Sequence, residues 1–128
     1  MNKRILITAS IFGIWAVAFG AFGAHGLKDR ISPYELETWK TAVSYQFYHV
    51  FALLFLSTFS RIKSRLINVA SWCFTVGILL FSGSLYLLAT KSILQLSQIS
   101  WLGPITPIGG LLFILGWICL LLATLKNK

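Results

Sequence analysis

An all-α fold is predicted, an integral membrane four-helix bundle with both termini cytoplasmic, and three observations predict it. The chain of 128 residues is 57% hydrophobic and 11% charged, against about 45–50% apolar in globular domains. Its mean hydropathy is +0.81. The apolar residues fall into four stretches, residues 5–24, 41–59, 66–90 and 107–125, separated by short charged or Gly/Pro-bearing segments. A hydrocarbon core of about 30 Å needs roughly 20 helical residues, so each stretch is long enough to cross. Residues 1–128 then make one four-span domain.

Lipid gives no hydrophobic push between helices, so each span needs a face that packs through small residues or hydrogen bonds. In the first, Ala9, Gly13, Ala16, Gly20 and Ala24 recur at spacings of four and three, which puts them on one side of a helix. A cleaved secretory signal is the competing reading, since Lys3-Arg4 precedes the run and residues 21–24 loosely resemble a small-residue cleavage site. The run is longer than the usual apolar region of a signal, and its glycines suit packing.

The second span has a defined start. Ser32-Pro33-Tyr34-Glu35 combines an N-cap serine, a proline at the first helical position and a glutamate three residues after the cap. Running on to Phe59, this helix would extend about 40 Å, so its first turns, with Glu35, Glu37, Trp39 and Lys40, belong in or above the interface. Its small or polar face is Thr38, Ala42, Tyr45, His49 and Ala52. The third span presents Ser71, Thr75, Ser82, Tyr86 and Ala89 in the same way. Thr106-Pro107 starts the fourth after Gly103-Pro104 breaks the segment before it, and Gly109, Gly116 and Ala123 form its small face. Gly13, Gly20, Gly23, Gly109 and Gly116 are the expected helix-packing positions. The mildly apolar connection 91–101 is expected along the outer interface.

Orientation follows from Lys and Arg in the connections. Lys3, Arg4, Arg61, Lys63, Arg65, Lys126 and Lys128 fall on one side of a four-span topology; Lys28, Arg30, Lys40 and Lys91, diluted by Asp29, Glu35 and Glu37, fall on the other. The first side is therefore cytoplasmic. The net charge of +8 is explained by cations beside an anionic leaflet, each worth about 1 kcal/mol. Nucleic acid is not an expected partner, because the cations form no continuous stripe with interleaved aromatics. Cys73 and Cys119 read as buried thiols rather than a disulfide, given a reducing cytosol and apolar surroundings.

Depth can then be assigned to each polar residue. His25 ends the first span on the outer side; Tyr45, Gln46, Tyr48 and His49 occupy the outer half of the second, Ser82, Ser84 and Tyr86 that of the third, and Thr106 starts the fourth. An outward-opening pocket of His25, Tyr45, Gln46, His49, Ser82, Ser84, Tyr86 and Thr106 is the sharpest site expectation. The plainer alternative is mutual satisfaction, at roughly 0.6 kcal/mol per hydrogen bond. His49, ionisable within a span, is a functional candidate by default; otherwise it is a neutral imidazole bonded to Tyr45 or Tyr86. No cofactor or metal is expected. His25 and His49 are separated by roughly 10–15 Å in depth, the cysteines lie towards the opposite face, and no catalytic triad, phosphate loop or paired intramembrane carboxylates occur.

The strings Gly20-Ala21-Phe22-Gly23-Ala24-His25-Gly26-Leu27, Tyr45-Gln46-Phe47-Tyr48-His49, Gly77-Ile78-Leu79-Leu80-Phe81-Ser82-Gly83-Ser84-Leu85-Tyr86 and Thr106-Pro107-Ile108-Gly109-Gly110, with Trp39 between the first two, closely resemble a family of small bacterial membrane proteins known as domain of unknown function 423, which has related small transmembrane proteins in eukaryotes. The resemblance covers almost the whole chain, without departure in those motifs. It implies a four-helix protein of the cytoplasmic (inner) membrane, and no activity, ligand or catalytic residue.

The leading functional expectation is a non-catalytic membrane protein that binds a lipid or a partner membrane protein through its outer pocket and small-residue faces, as a homo-oligomer or with another protein. An oligomeric transporter or channel lined by His49, Gln46 and Tyr86 is the second. A membrane redox subunit or enzyme is the third, and it needs a cofactor the residues do not advertise.

Overall fold

A computed structural model describes residues 1–59 and 64–126; Arg61, Lys63 and Lys128 of the cation-rich side lie outside the described residues. The described chain is helical with no strand: α1 (Lys3–Phe22), α2 (Pro33–Ser57), α3 (Arg65–Gly77), α4 (Gly83–Ala89) and α5 (Ile105–Lys126). A π-helical turn, Gly23–Leu27, prolongs α1, and another, Ile78–Ser82, joins α3 to α4 in one rod. Four rods result.

Each start has a local cause. Asn2 caps α1 by accepting the Ile5 N–H at 3.3 Å, and Ser64 caps α3. At α2 the capping box is complete: Ser32 Oγ accepts the Glu35 N–H at 3.1 Å, and Glu35 Oε2 accepts the Ser32 N–H at 3.0 Å. That N–H is the main reason the exposed Glu35 carboxyl has a pKa below its ordinary value, with the Ser92 hydroxyl adding to it. Ser92 also donates to Glu35 at 3.3 Å and so ties the connection after α4 to the head of α2. α5 begins at Ile105, two residues before the expected start. Pro107 is accommodated because first-turn N–H groups have no intrahelical partner to lose.

Neighbouring rods run antiparallel. Along α1 and α2, Gly13 abuts Val50, Gly20 abuts Val43 and Gly23 abuts Trp39; between the α3–α4 rod and α5, Gly116 abuts Phe74, Gly77 abuts Phe113 and Gly109 abuts Phe81. The small-residue faces are thus filled by side chains of the same chain. Asn2 N–H donates to the Ser57 carbonyl at 2.7 Å, closing the end where α1 starts, α2 stops and α5 stops. Met1 and Lys126 sit at that end.

Among the described residues, three rods are long and apolar enough to cross a membrane: Lys3–Leu27, Arg65–Ala89 and Ser100–Lys126, which contain 18-residue windows of mean hydropathy 2.1, 1.8 and 2.5. α2 is not among the three. With 25 residues it is long enough, but Gln46, His49 and the tyrosines dilute it. Its position explains the dilution: α2 lies between α1 and the α3–α4 rod, and Gln46, His49 and Ser57 are buried there. Those polar groups meet protein, while the apolar surface of α1 and α5, including Ile14, Val17, Leu111 and Leu125, faces outward.

Candidate functional site

The eight residues expected to line one pocket are distributed over separate places. Gln46, Tyr86 and Ser82 form an interior network. Gln46 Nε2 donates to the Phe12 carbonyl at 2.8 Å, and its Oε1 accepts the Tyr86 hydroxyl at 2.6 Å. Ser82 donates to the Ala42 carbonyl at 2.7 Å. Helical side chains lean towards their own N-terminus, so on antiparallel rods Gln46 and Tyr86 lean towards one another and meet near the level of Ser82. Four helices are pinned at this level, because Ser84 and Thr106, 2.6 Å apart, link α4 to α5. No buried side-chain polar atom lacks a partner among the described residues.

Above this network lies an aromatic cluster. Trp39 packs on Phe19, Phe22 and Tyr86 with ring centroids 5.7, 5.8 and 4.6 Å away, and its indole N–H donates to the Phe19 carbonyl at 2.8 Å. His25 takes no part. It sits exposed on the π turn after α1, apart from the other seven residues.

Tyr45 and His49 lie on the adjoining face of α2, turned towards α5. His49 is 4% exposed, with its ring stacked on Phe113 at 3.5 Å between centroids and 5° between planes. Trp117 Nε1 stands 3.3 Å from His49 Nε2, and His49 Nδ1 stands 2.7 Å from the Tyr45 carbonyl. An indole only donates. Nε2 is therefore the acceptor and Nδ1 carries the proton, a neutral imidazole with both nitrogens used. Its partners are the Tyr45 backbone and Trp117, and Tyr86 is engaged elsewhere.

Beside His49 a groove of about 750 Å³ runs between α2 and α5. Tyr45, Tyr48 and His49 form one wall and Pro107, Gly110 and Trp117 the other, with Phe81 and Phe113 at the back. From Pro107 to Trp117 the wall extends about 15 Å, close to half the hydrocarbon thickness. The Tyr45 and Tyr48 hydroxyls make no hydrogen bond among the described residues, and Tyr48 is 58% exposed. The groove offers aromatic faces, an imidazole and two phenols; no Ser, Cys, Lys, Arg, Asp or Glu is among the residues that line it. Among the described residues, no three His, Cys, Asp or Glu side chains gather as metal ligands would.

Trp117, Phe113 and Gly110 were not among the expected site residues. One signal for them is in the sequence: Trp favours the membrane interfaces, so a Trp at the middle of a span needs a partner for its N–H, and His49 is the residue at matching depth. The recurrence of Pro107, Gly110, Ile114 and Trp117 at helical spacing marks the same face.

The sequence profile of a protein family of unknown function, DUF423, matches residues 19–110. The chain is 48% identical over 124 residues to the UPF0382 membrane protein SAB0533 of Staphylococcus aureus (strain bovine RF122 / ET3-1), with 97% of each chain covered. It is 44% identical over 124 residues to the UPF0382 membrane protein SH2409 of Staphylococcus haemolyticus, again with 97% of each covered. No solved structure matches.

Proposed function

From the premise that this chain belongs to the DUF423 family of membrane proteins, and so resides in a bacterial cell membrane, we propose that it is a non-catalytic lipid-binding protein whose α2–α5 groove holds the hydrocarbon chain of a lipid from the outer leaflet. The groove carries this reading. It opens sideways, its length suits one leaflet, its lining is apolar and aromatic, and the two free phenols at Tyr45 and Tyr48 suit the ester or headgroup region.

A protein partner recruited through the small-residue faces has less support, because Gly13, Gly20, Gly109 and Gly116 already abut side chains or backbone of this chain. A solute path through the monomer is likewise poorly supported. Gln46, Ser82 and Tyr86 spend their hydrogen bonds on one another and on carbonyls.

Gly110 provides the test. A Cβ added there would meet the Phe81 ring at 3.8 Å, ordinary contact, so Gly110→Leu is accommodated and extends into the groove. Native mass spectrometry of the protein released from native lipid discs should show a retained lipid on the wild type and its loss in Gly110→Leu. A bare wild type, or equal retention by the variant, would refute the reading.

The orientation proposed is both termini cytoplasmic. Lys3, Arg4, Arg65 and Lys126 gather at the terminal end, whereas Asp29, Glu35 and Glu37 dilute the cations of the other. A reporter fused after Lys128 should be active only in the cytoplasm; activity on the far side of the membrane reverses the assignment and moves the groove to the inner leaflet.

A further inference from the structure

The bundle has a second pocket, at the opposite end from the aromatic cluster. α1 packs along α2 and α3 along α5, so α1 and α3 have little contact of their own, and a notch of about 210 Å³ opens between them. Its floor is apolar, made by the buried Ile5 and Leu53. Its walls are polar: Arg4 and Thr8, one turn apart on α1, face Asn68, Ser71 and Thr75 on one side of α3.

Arg4 is held in place across the seam. Its guanidinium carbon lies 4.8 Å from the centroid of the Trp72 ring. A cation–π contact orients the charge but occupies none of its N–H donors, and no hydrogen bond or ion pair uses them among the described residues. Internal compensation by an acidic side chain is out of reach: Asp29, Glu35 and Glu37 all belong to the other end, about 30 Å away along α1.

The remaining groups have assigned polarities. The hydroxyls of Thr8, Ser71 and Thr75 donate to the carbonyls of Arg4, Asn68 and Ser71 at 3.1, 2.8 and 2.7 Å, so they present acceptors to the notch. Asn2 Oδ1 is taken by the Ile5 N–H, which leaves its amide N–H groups to donate. The Asn68 side chain has no partner among the described residues. The notch thus combines one oriented cation, two amide donors and three hydroxyl acceptors over a hydrocarbon floor.

We infer that this notch binds the headgroup of an anionic glycerophospholipid. Arg4, Asn2 and Asn68 take the phosphodiester, a planar guanidinium fork suiting its paired oxygens. Ser71, Thr75 and Thr8 accept hydrogen bonds from headgroup hydroxyls, and Ile5 and Leu53 take the first methylenes. Free phosphate shares the anion chemistry but has nothing to place on that floor.

The test uses full-length protein in discs of phosphatidylcholine with a minor share of phosphatidylglycerol, read by native mass spectrometry of the retained lipid. Phosphatidylglycerol should be enriched over its bulk share. Arg4→Lys, which keeps the charge but not the fork, and Asn68→Leu, at an exposed position, should each lower that enrichment about fivefold, the equivalent of one hydrogen bond, with unchanged melting in detergent. Ile14→Ala, on the outward surface of α1 and in neither pocket, should leave it unaltered. Full enrichment in both Arg4→Lys and Asn68→Leu would show diffuse attraction to surface cations and overturn the site. Displacement of the lipid by millimolar inorganic phosphate would overturn its assignment to a lipid.

Discussion

Gly109→Ala should destabilise the protein in mild detergent by about 2–3 kcal/mol, the cost of overpacking a tight interface, while Gly110→Ala, one residue along, should be neutral or slightly stabilising. The contrast is geometric. A Cβ at Gly109 would come within 2.8 Å of the Phe81 Cα, and backbone cannot swing aside as a side chain can. Relief requires α5 to move off the α3–α4 rod. That rod contact includes Gly77 against Phe113 and Gly116 against Phe74, and Phe113 covers His49, so the strain spreads along the seam to the imidazole. At Gly110 the nearest atoms are 3.8 Å away, and replacing glycine within a helix lowers the entropy of the unfolded chain. Chemical or thermal unfolding of the two variants side by side checks the prediction. Equal stability of the pair would mean that the close approach of α5 to Phe81 is not maintained.

How much of this was legible in the sequence depends on how local the cause is. The start of α2 was readable because the Ser32–Glu35 capping box involves four consecutive residues, and the small faces of α1 and α5 were readable because glycine at helical spacing has few other uses in a span. What those faces touch was not readable, since Val43, Val50, Phe74 and Phe81 belong to other rods. The π turns at Gly23–Leu27 and Ile78–Ser82 leave no compositional trace, although the second one is where Phe81 meets Gly109 and Ser82 reaches Ala42. Depth placed the polar residues of α2 and α4 at one level, as a linear reading can. It could not separate two adjoining faces of α2: Gln46 turns to Tyr86, whereas His49, three residues on, turns to Trp117 and the groove.

The interior network sets up the second large effect. Gln46→Leu should cost about 1–3 kcal/mol, mainly because it strands the half-buried Tyr86 hydroxyl inside the bundle without an acceptor. The Phe12 carbonyl loses less, since it can still accept from its own helix. Tyr86→Phe should be milder, near the roughly 0.6 kcal/mol average for a hydrogen bond between membrane helices, because Gln46 keeps its bond to Phe12. The double variant discriminates between explanations. If the hydrogen bond is what matters, Gln46→Leu with Tyr86→Phe should be more stable than Gln46→Leu alone, as replacing both partners by apolar groups leaves nothing unpaired. If Gln46 acts only by filling space between α1 and α4, the two losses should add. Unfolding free energies of the four proteins in one detergent close the cycle, and simple additivity would remove the network as the pin that holds α1, α2 and α4 at a common level.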